Sequence, residues 1–274
     1  MTEPENVADL WASMAVELAP TRLDLSDPAA LFRSSGFEPD AAQVEVLTTE
    51  AQRVIINWAR QSGKTTVVAC RAAWRAQSHR GQTVVIVAGR QEQAKHLLRA
   101  CRRFSGRDSS ASGTMTELSI RFRNDSHVVV VPASDTARGL SASELVVEEA
   151  SVVPDDVYDS VLTPMVSTTH GPIILLGTPG SESGFFWELW TNAPRWEPGK
   201  PATGHAWLKS LRTWEECDRI DPWTVEELRQ RSERAYKAEY MCRFAGAADA
   251  LFDPDHIREM VTEEFEPTHF LETL

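Results

Sequence analysis

Val54-Ile55-Ile56-Asn57-Trp58-Ala59-Arg60-Gln61-Ser62-Gly63-Lys64-Thr65 decides the fold of this chain. An apolar run is followed by a polar loop ending in Gly-Lys-Thr, and a helical pattern starts at the threonine. That is the strand–loop–helix setting of a phosphate-binding loop. Backbone N–H groups of such a loop wrap a polyphosphate, and the dipole of the following helix adds positive potential. Gly63 lets the backbone come close to the phosphates. Lys64 is placed to reach the β- and γ-phosphates of a bound nucleotide, and the Thr65 hydroxyl to hold Mg²⁺. The candidate nucleotide contacts are therefore Arg60, Gln61, Ser62, Gly63, Lys64, Thr65 and Thr66. One departure stands out: Trp58 occupies the place of the usual first glycine.

Outward from this loop the chain alternates between strand and helix patterns. Strands are expected at 53–57, 83–88, 144–148 and 172–176, with helices at about 64–79 and 90–104. Nearly continuous apolar strands such as Thr83-Val84-Val85-Ile86-Val87 imply burial on both faces, hence a largely parallel α/β sheet. The segment 118–132 differs. Leu118 to Arg123 and His127 to Val131 flank Asn124-Asp125-Ser126, which predicts an antiparallel hairpin added to the sheet. Residues 5–19 carry helical spacing ended by Pro20, and a short helix follows Phe37-Glu38-Pro39-Asp40. Beyond Gly180 one short helix, a strand at 206–211 and helical segments from about 222 to 243 are expected.

Two more strand ends carry chemistry. Leu145-Val146-Val147-Glu148-Glu149 delivers two acids, with Glu148 placed to support the metal and Glu149 to polarise the attacking water. Ile173-Ile174-Leu175-Leu176-Gly177-Thr178-Pro179-Gly180 ends in a small polar turn. In a parallel sheet the strand C-termini converge on the ligand crevice, so Thr178 is placed to sense the γ-phosphate; a plain Pro-Gly turn explains the same residues. Arg60 and Arg138 are candidates for stabilising transition-state charge, in cis or across subunits, and each reads equally as a structural ion pair. Gln43 has an amide able to read an adenine edge.

Composition bounds the partners. The chain has 274 residues and a formal charge of −12, which argues against a generic nucleic-acid coat. Basic residues nevertheless cluster between Arg71 and Arg107, as a solvated face or as a DNA-facing or subunit-facing surface. No apolar run approaches membrane-spanning length. Cys70, Cys101, Cys217 and Cys242 show neither zinc-ligand nor disulfide spacing, and the acidic start (Met1-Thr2-Glu3-Pro4-Glu5) lacks a basic secretory leader. A reducing cytoplasm fits this usage.

In order, these pieces resemble the ATPase half of the large terminase subunit of tailed bacteriophages, over roughly residues 35–257. The resemblance rests on the Ala59–Thr65 loop with Arg-Gln at its start, on Gln43 upstream, and on Val87-Ala88-Gly89-Arg90-Gln91-Glu92-Gln93-Ala94. It also rests on Arg138-Gly139 before the acidic strand, on Gly177-Thr178-Pro179, and on Tyr236 to Phe244 followed by Leu251-Phe252. Glu148 departs from it, since the usual first acid is Asp. The resemblance implies a P-loop fold of the additional-strand type and a Mg²⁺-dependent ATPase that drives double-stranded DNA into a procapsid. It also implies a ring of identical subunits on a portal protein, a small terminase subunit as partner, and action in the cytoplasm of an infected bacterium. Its division of the chain is a helical extension over 1–36, an ATPase core over 37–180, closing helices over 181–257 and an acidic tail over 258–274. The family's nuclease carboxylates have no counterpart here, so no nuclease activity is expected and the nuclease is expected on a separate chain or a missing segment. Two other readings stay open from the residues: a helicase-like DNA-dependent ATPase, and an ATP-binding assembly adaptor.

Overall fold

Alternate residues along each central strand face opposite layers of helices in the computed structural model. It describes residues 23–89, 91–105, 114–115, 118–134, 137–201 and 205–246. The expected helix at 5–19 and the acidic tail lie outside the described residues. Eight strands form one sheet: β1 (Arg53–Trp58), β2 (Thr83–Ala88), β3 (Thr114–Met115), β4 (Ser119–Arg121), β5 (His127–Pro132), β6 (Glu144–Glu148), β7 (Ile173–Gly177) and β8 (Leu208–Arg212). Their order is β3-β4-β5-β2-β6-β7-β1-β8. All pairings from β5 to β8 are parallel, and β3-β4 and β4-β5 are antiparallel. The expected hairpin is thus β4–β5, turning at Asn124-Asp125 with Asp125 at φ +65°; its second strand runs parallel to β2 and fastens the addition to the sheet.

The strand period of two divides the core. Val54, Ile56, Val84, Ile86, Val146 and Ile174 face one apolar layer, which α1 (Pro28–Ser34), α2 (Ala41–Thr48), α3 (Lys64–Ser78) and α4 (Gln91–Arg103) cover. Ile55, Val85, Val87, Leu145, Val147, Ile173 and Leu175 face the other, closed by residues 150–166 and by α5 (Gly184–Asn192). Residues 150–166 form short 3₁₀, α and π turns, with no pattern to announce them. Near the C-terminal end, α6 (Pro222–Arg231) and α7 (Glu233–Glu239) break at Ser232, whose hydroxyl caps α7 by accepting from the Ala235 N–H at 3.2 Å.

Two details locate the loop. β7 stands between β1, which carries the Lys64 loop, and β6, which carries the acids. That inserted strand spaces the lysine from the carboxylates. Trp58 is the last residue of β1 and is fully buried, its indole N–H donating to Ser210 Oγ at 3.1 Å. The tryptophan therefore packs down into the core, and the loop turn starts only after it. The basic stretch does not form a single face: Arg71 is buried, donates to the Val46 carbonyl at 2.9 Å and lies 3.6 Å from Glu144.

Candidate functional site

The loop between β1 and α3 is held in a conformation that regular residues avoid. Gln61 has φ +61° and Gly63 φ +96°. A Cβ on Gly63 would sit 2.7 Å from the Gln43 side-chain nitrogen, and its φ of +96° is one that glycine adopts readily and other residues rarely do. Ser62 is buried and donates its hydroxyl to the Ala59 carbonyl at 2.6 Å, closing the loop on itself. Alternating left-handed residues of this kind turn successive N–H groups into an anion-binding concavity.

A cavity of about 270 Å³ opens over this loop, lined by Arg60, Gln61, Lys64, Thr65, Glu148, Glu149, Leu176, Gly177, Thr178 and Glu239. Three strand ends named from sequence, those of β1, β6 and β7, thus meet at one place, as the parallel arrangement requires. The Lys64 ammonium folds back on its own loop and donates to the carbonyls of Trp58 (2.6 Å) and Ala59 (3.0 Å). Burial pulls its pKa down to about 8. Thr65 Oγ1 donates to Glu148 Oε1 at 3.2 Å, and Glu148 Oε2 is buried with no hydrogen-bond partner. Burial, partly offset by the Thr65 hydrogen bond, pushes the Glu148 carboxyl up to about 7. A carboxylate oxygen left unpaired beside a threonine hydroxyl is a poor resting arrangement. It is a good half-shell for a hydrated divalent cation, so these two residues fit Mg²⁺.

Glu149 is exposed at φ +51° and accepts a hydrogen bond from the Gln93 amide at 2.9 Å. Arg60 is outward on the loop, 3.7 Å from Glu239 at the end of α7, and its N–H donates to the Glu239 carbonyl at 2.8 Å. Five predicted residues lie off the cavity lining: Ser62 and Gly63 within the loop itself, and Gln43, Thr66 and Arg138. Gln43 is buried, and its side-chain oxygen accepts the Asp40 N–H in a capping box at the start of α2. Thr66 sits half-buried one residue further into α3. Arg138 is exposed and donates to the Ser160 carbonyl and hydroxyl, each at 3.3 Å.

Sequence reasoning gave no role to Gln93 or Glu239, although both fall within segments that carry the family resemblance. It also missed the support behind the loop. Arg212, at the end of the edge strand β8, and Arg219 converge on the Ser62 carbonyl and on Asp40. Nothing in local spacing links positions 40, 62, 212 and 219; the β1–β8 pairing sets Arg212 beside Trp58 at the entry to the loop.

A glycine–lysine–threonine loop, an inserted strand and two acids across the cavity define a P-loop ATPase with an additional strand. The particular family follows from comparison. The profile described as "Terminase large subunit, T4likevirus-type, N-terminal" matches residues 55–259. The chain belongs to that family, and its function is that of the ATPase of a DNA-packaging motor. Among solved structures it is similar to the large terminase ATPase domain of Thermus phage P74-26. That likeness has 20% identity and TM-score 0.62, and covers 81% of this chain and 100% of that one. It is also similar to the large terminase of a second thermophilic bacteriophage, solved with ADP (13% identity, TM-score 0.58), covering 75% of this chain and 54% of that one. The same phage protein solved with ATP-γ-S gives TM-score 0.56 at 13% identity, covering 74% of this chain and 52% of that one. No curated protein sequence matches. Among the described residues no helix is long and apolar enough to cross a membrane.

Proposed function

We propose that the cavity binds ATP with Mg²⁺ and hydrolyses it to move double-stranded DNA. The observation that carries this reading is the convergence of Lys64, Thr65, Glu148, Glu149 and Thr178 on one cavity. The loop N–H groups from Arg60 to Thr66 cradle the phosphates, and the Lys64 ammonium leaves its two carbonyls to meet the β- and γ-oxygens. Thr65 and Glu148 would hold the metal. When bound, Mg²⁺ supplies charge neutralisation on the β- and γ-phosphates. Glu149 orients the attacking water and takes its proton as the oxygen adds to the γ-phosphorus, and ADP leaves with the electron pair of the broken P–O bond. Thr178, at the end of β7 between the loop and the acids, senses loss of the γ-phosphate. Gln43 acts from behind Gly63, with its amide nitrogen as the group available for an adenine edge.

Arg138 is exposed, donates to Ser160 and does not line its own cavity, which supports action on a neighbour's nucleotide in a homo-oligomeric ring. Arg60 is the charge-stabilising candidate in cis. The ring would assemble on a portal protein, with a small terminase subunit and, where this ATPase is separate, a nuclease chain as further partners. In this reading residues 37–180 form the catalytic core and 181–257 the closing part, with the segments before and after as extensions, and the setting is the host cytoplasm. Phosphate release measured across a protein-concentration series, with and without duplex DNA and with Glu149→Gln as blank, tests it. Turnover rising faster than linearly with protein is the expected result. Turnover that survives in Glu149→Gln would overturn the assignment of the base.

A further inference from the structure

The back of the phosphate loop carries a charged clamp that the catalytic roles above do not use. Arg212 is only 4% exposed. Its guanidinium spends every nitrogen: Nη1 donates to the Ser62 carbonyl at 3.3 Å, Nη2 pairs with Asp40 Oδ2 at 2.8 Å, and Nε and Nη2 donate to the Glu216 carbonyl at 3.2 and 2.8 Å. It lies over the Trp58 ring, 5.7 Å from the centroid. Its backbone carbonyl accepts the Ala59 N–H at 2.7 Å. Arg219 Nη2 adds a second bond to the Ser62 carbonyl at 3.0 Å and lies 3.4 Å from Asp40 Oδ2.

Two guanidinium groups on one carbonyl fix the rotation of one peptide plane. In a trans peptide the C=O of Ser62 and the N–H of Gly63 point in opposite directions. Holding the oxygen toward Arg212 and Arg219 turns the Gly63 N–H the other way, away from both arginines, in a loop whose Gln61 and Lys64 line the cavity. The same clamp fixes the entry to the loop through Ala59 and Trp58. We infer that Arg212, assisted by Arg219, is a positioning residue that presets the Ser62–Gly63 peptide for phosphate. This rests on the nucleotide reading above. The role needs the planar fork of arginine, since an ammonium cannot serve the Ser62 carbonyl, Asp40 and the Glu216 carbonyl at once.

The decisive variants are Arg212→Lys, which keeps the charge, and Arg219→Ala at a half-exposed position. Binding of ADP and of inorganic tripolyphosphate, each with Mg²⁺, is measured by calorimetry, with the thermal midpoint as a check of folding. Arg212→Lys is expected to weaken both ligands by about tenfold or more, the scale of a charge-assisted hydrogen bond. Arg219→Ala is expected to weaken them less, with the midpoint retained. In nuclear magnetic resonance spectra, tripolyphosphate shifts the Gly63 amide of the wild type, and Arg212→Lys removes most of that shift. Wild-type affinity and an intact Gly63 response in both variants would overturn the clamp while leaving the nucleotide reading in place. A wild-type protein that binds neither ligand would overturn that reading itself.

Discussion

The Gln93 amide donates to the Glu149 carboxylate across 2.9 Å, tying the acid after β6 to the first turn of α4. Glu149 sits at φ +51°, a strained setting for a residue with a side chain. The hydrogen bond gives that side chain a fixed direction. Replacing Gln93 by Glu puts two carboxylates within contact, which raises the pKa of one of them. The acid limb of the turnover–pH profile of Gln93→Glu is therefore expected to move upward from its wild-type position. Gln93→Ala is expected to lower kcat by about tenfold, less than the roughly 10²–10⁴-fold that general base catalysis supplies because the base itself remains, with KM little changed. An unmoved pH profile in Gln93→Glu would remove Gln93 from the site.

Glu148 supplies a pH prediction with a definite sign. Its folded pKa is raised to about 7 from 4.5, chiefly by burial. The folded protein therefore holds a proton that the unfolded chain releases between those values, and stability falls as pH rises through this window. Glu148→Gln removes the penalty. Its unfolding free energy is expected to exceed that of the wild type at pH 8, by about 3 kcal/mol at most, and to match it near pH 4. Magnesium reverses the picture, because it binds the ionised form: Mg²⁺ affinity of the wild type should drop as pH falls below about 7. Denaturant titrations at the two pH values check the first statement, and equal differences at both would refute it.

Gly63 makes the loop conformation testable. At φ +96° alanine meets backbone strain, and the end of the Gln43 side chain, 2.7 Å from an added Cβ, has to move as well. Gly63→Ala is expected to cost about 1–3 kcal/mol of stability and to abolish detectable ADP binding. Chemical denaturation and calorimetry report the two effects separately. Wild-type stability in the variant would mean that the left-handed turn is not required.

Much of this architecture is legible in the sequence because burial dictates it. β2, β6 and β7 are apolar on both faces, which only a doubly covered parallel sheet satisfies, and their ends carry Glu148, Glu149 and Thr178 to one edge. The boundaries shift by a residue or so where caps decide: Ser232 sets the division between the helical segments expected from about 222, and Trp207 forms an isolated bridge to Arg195 before β8 begins at Leu208. The turns over 150–166 have no period for a pattern to show. The clamp of Arg212, Arg219 and Asp40 was hidden for another reason. It joins residues more than a hundred positions apart through the β1–β8 pairing, and an arginine destined for burial looks the same in sequence as a solvated one.

Asp155 offers a last test, of how the loops after β6 and β7 are joined. Ser183 precedes α5 without capping it by its side chain, and Asp155 does so from across the gap, accepting the Phe185 N–H at 2.8 Å. Gly184 permits this approach at φ +82°, since a Cβ there would lie 3.2 Å from the same carboxylate oxygen. Tyr158 then stacks flat on Phe185, with ring centroids 3.9 Å apart and planes within 4°. The segment after Glu149 is thereby fastened to the segment after Thr178. Loss of a helix cap costs about 0.5–2 kcal/mol, so Asp155→Ala should unfold at lower denaturant by that amount while still binding ADP. Asp155→Asn keeps an oxygen acceptor and should recover most of the loss. If Asp155→Ala matched the wild type in stability, the cross-loop cap would contribute nothing, and the two loops would be joined by apolar packing, the aromatic stack included.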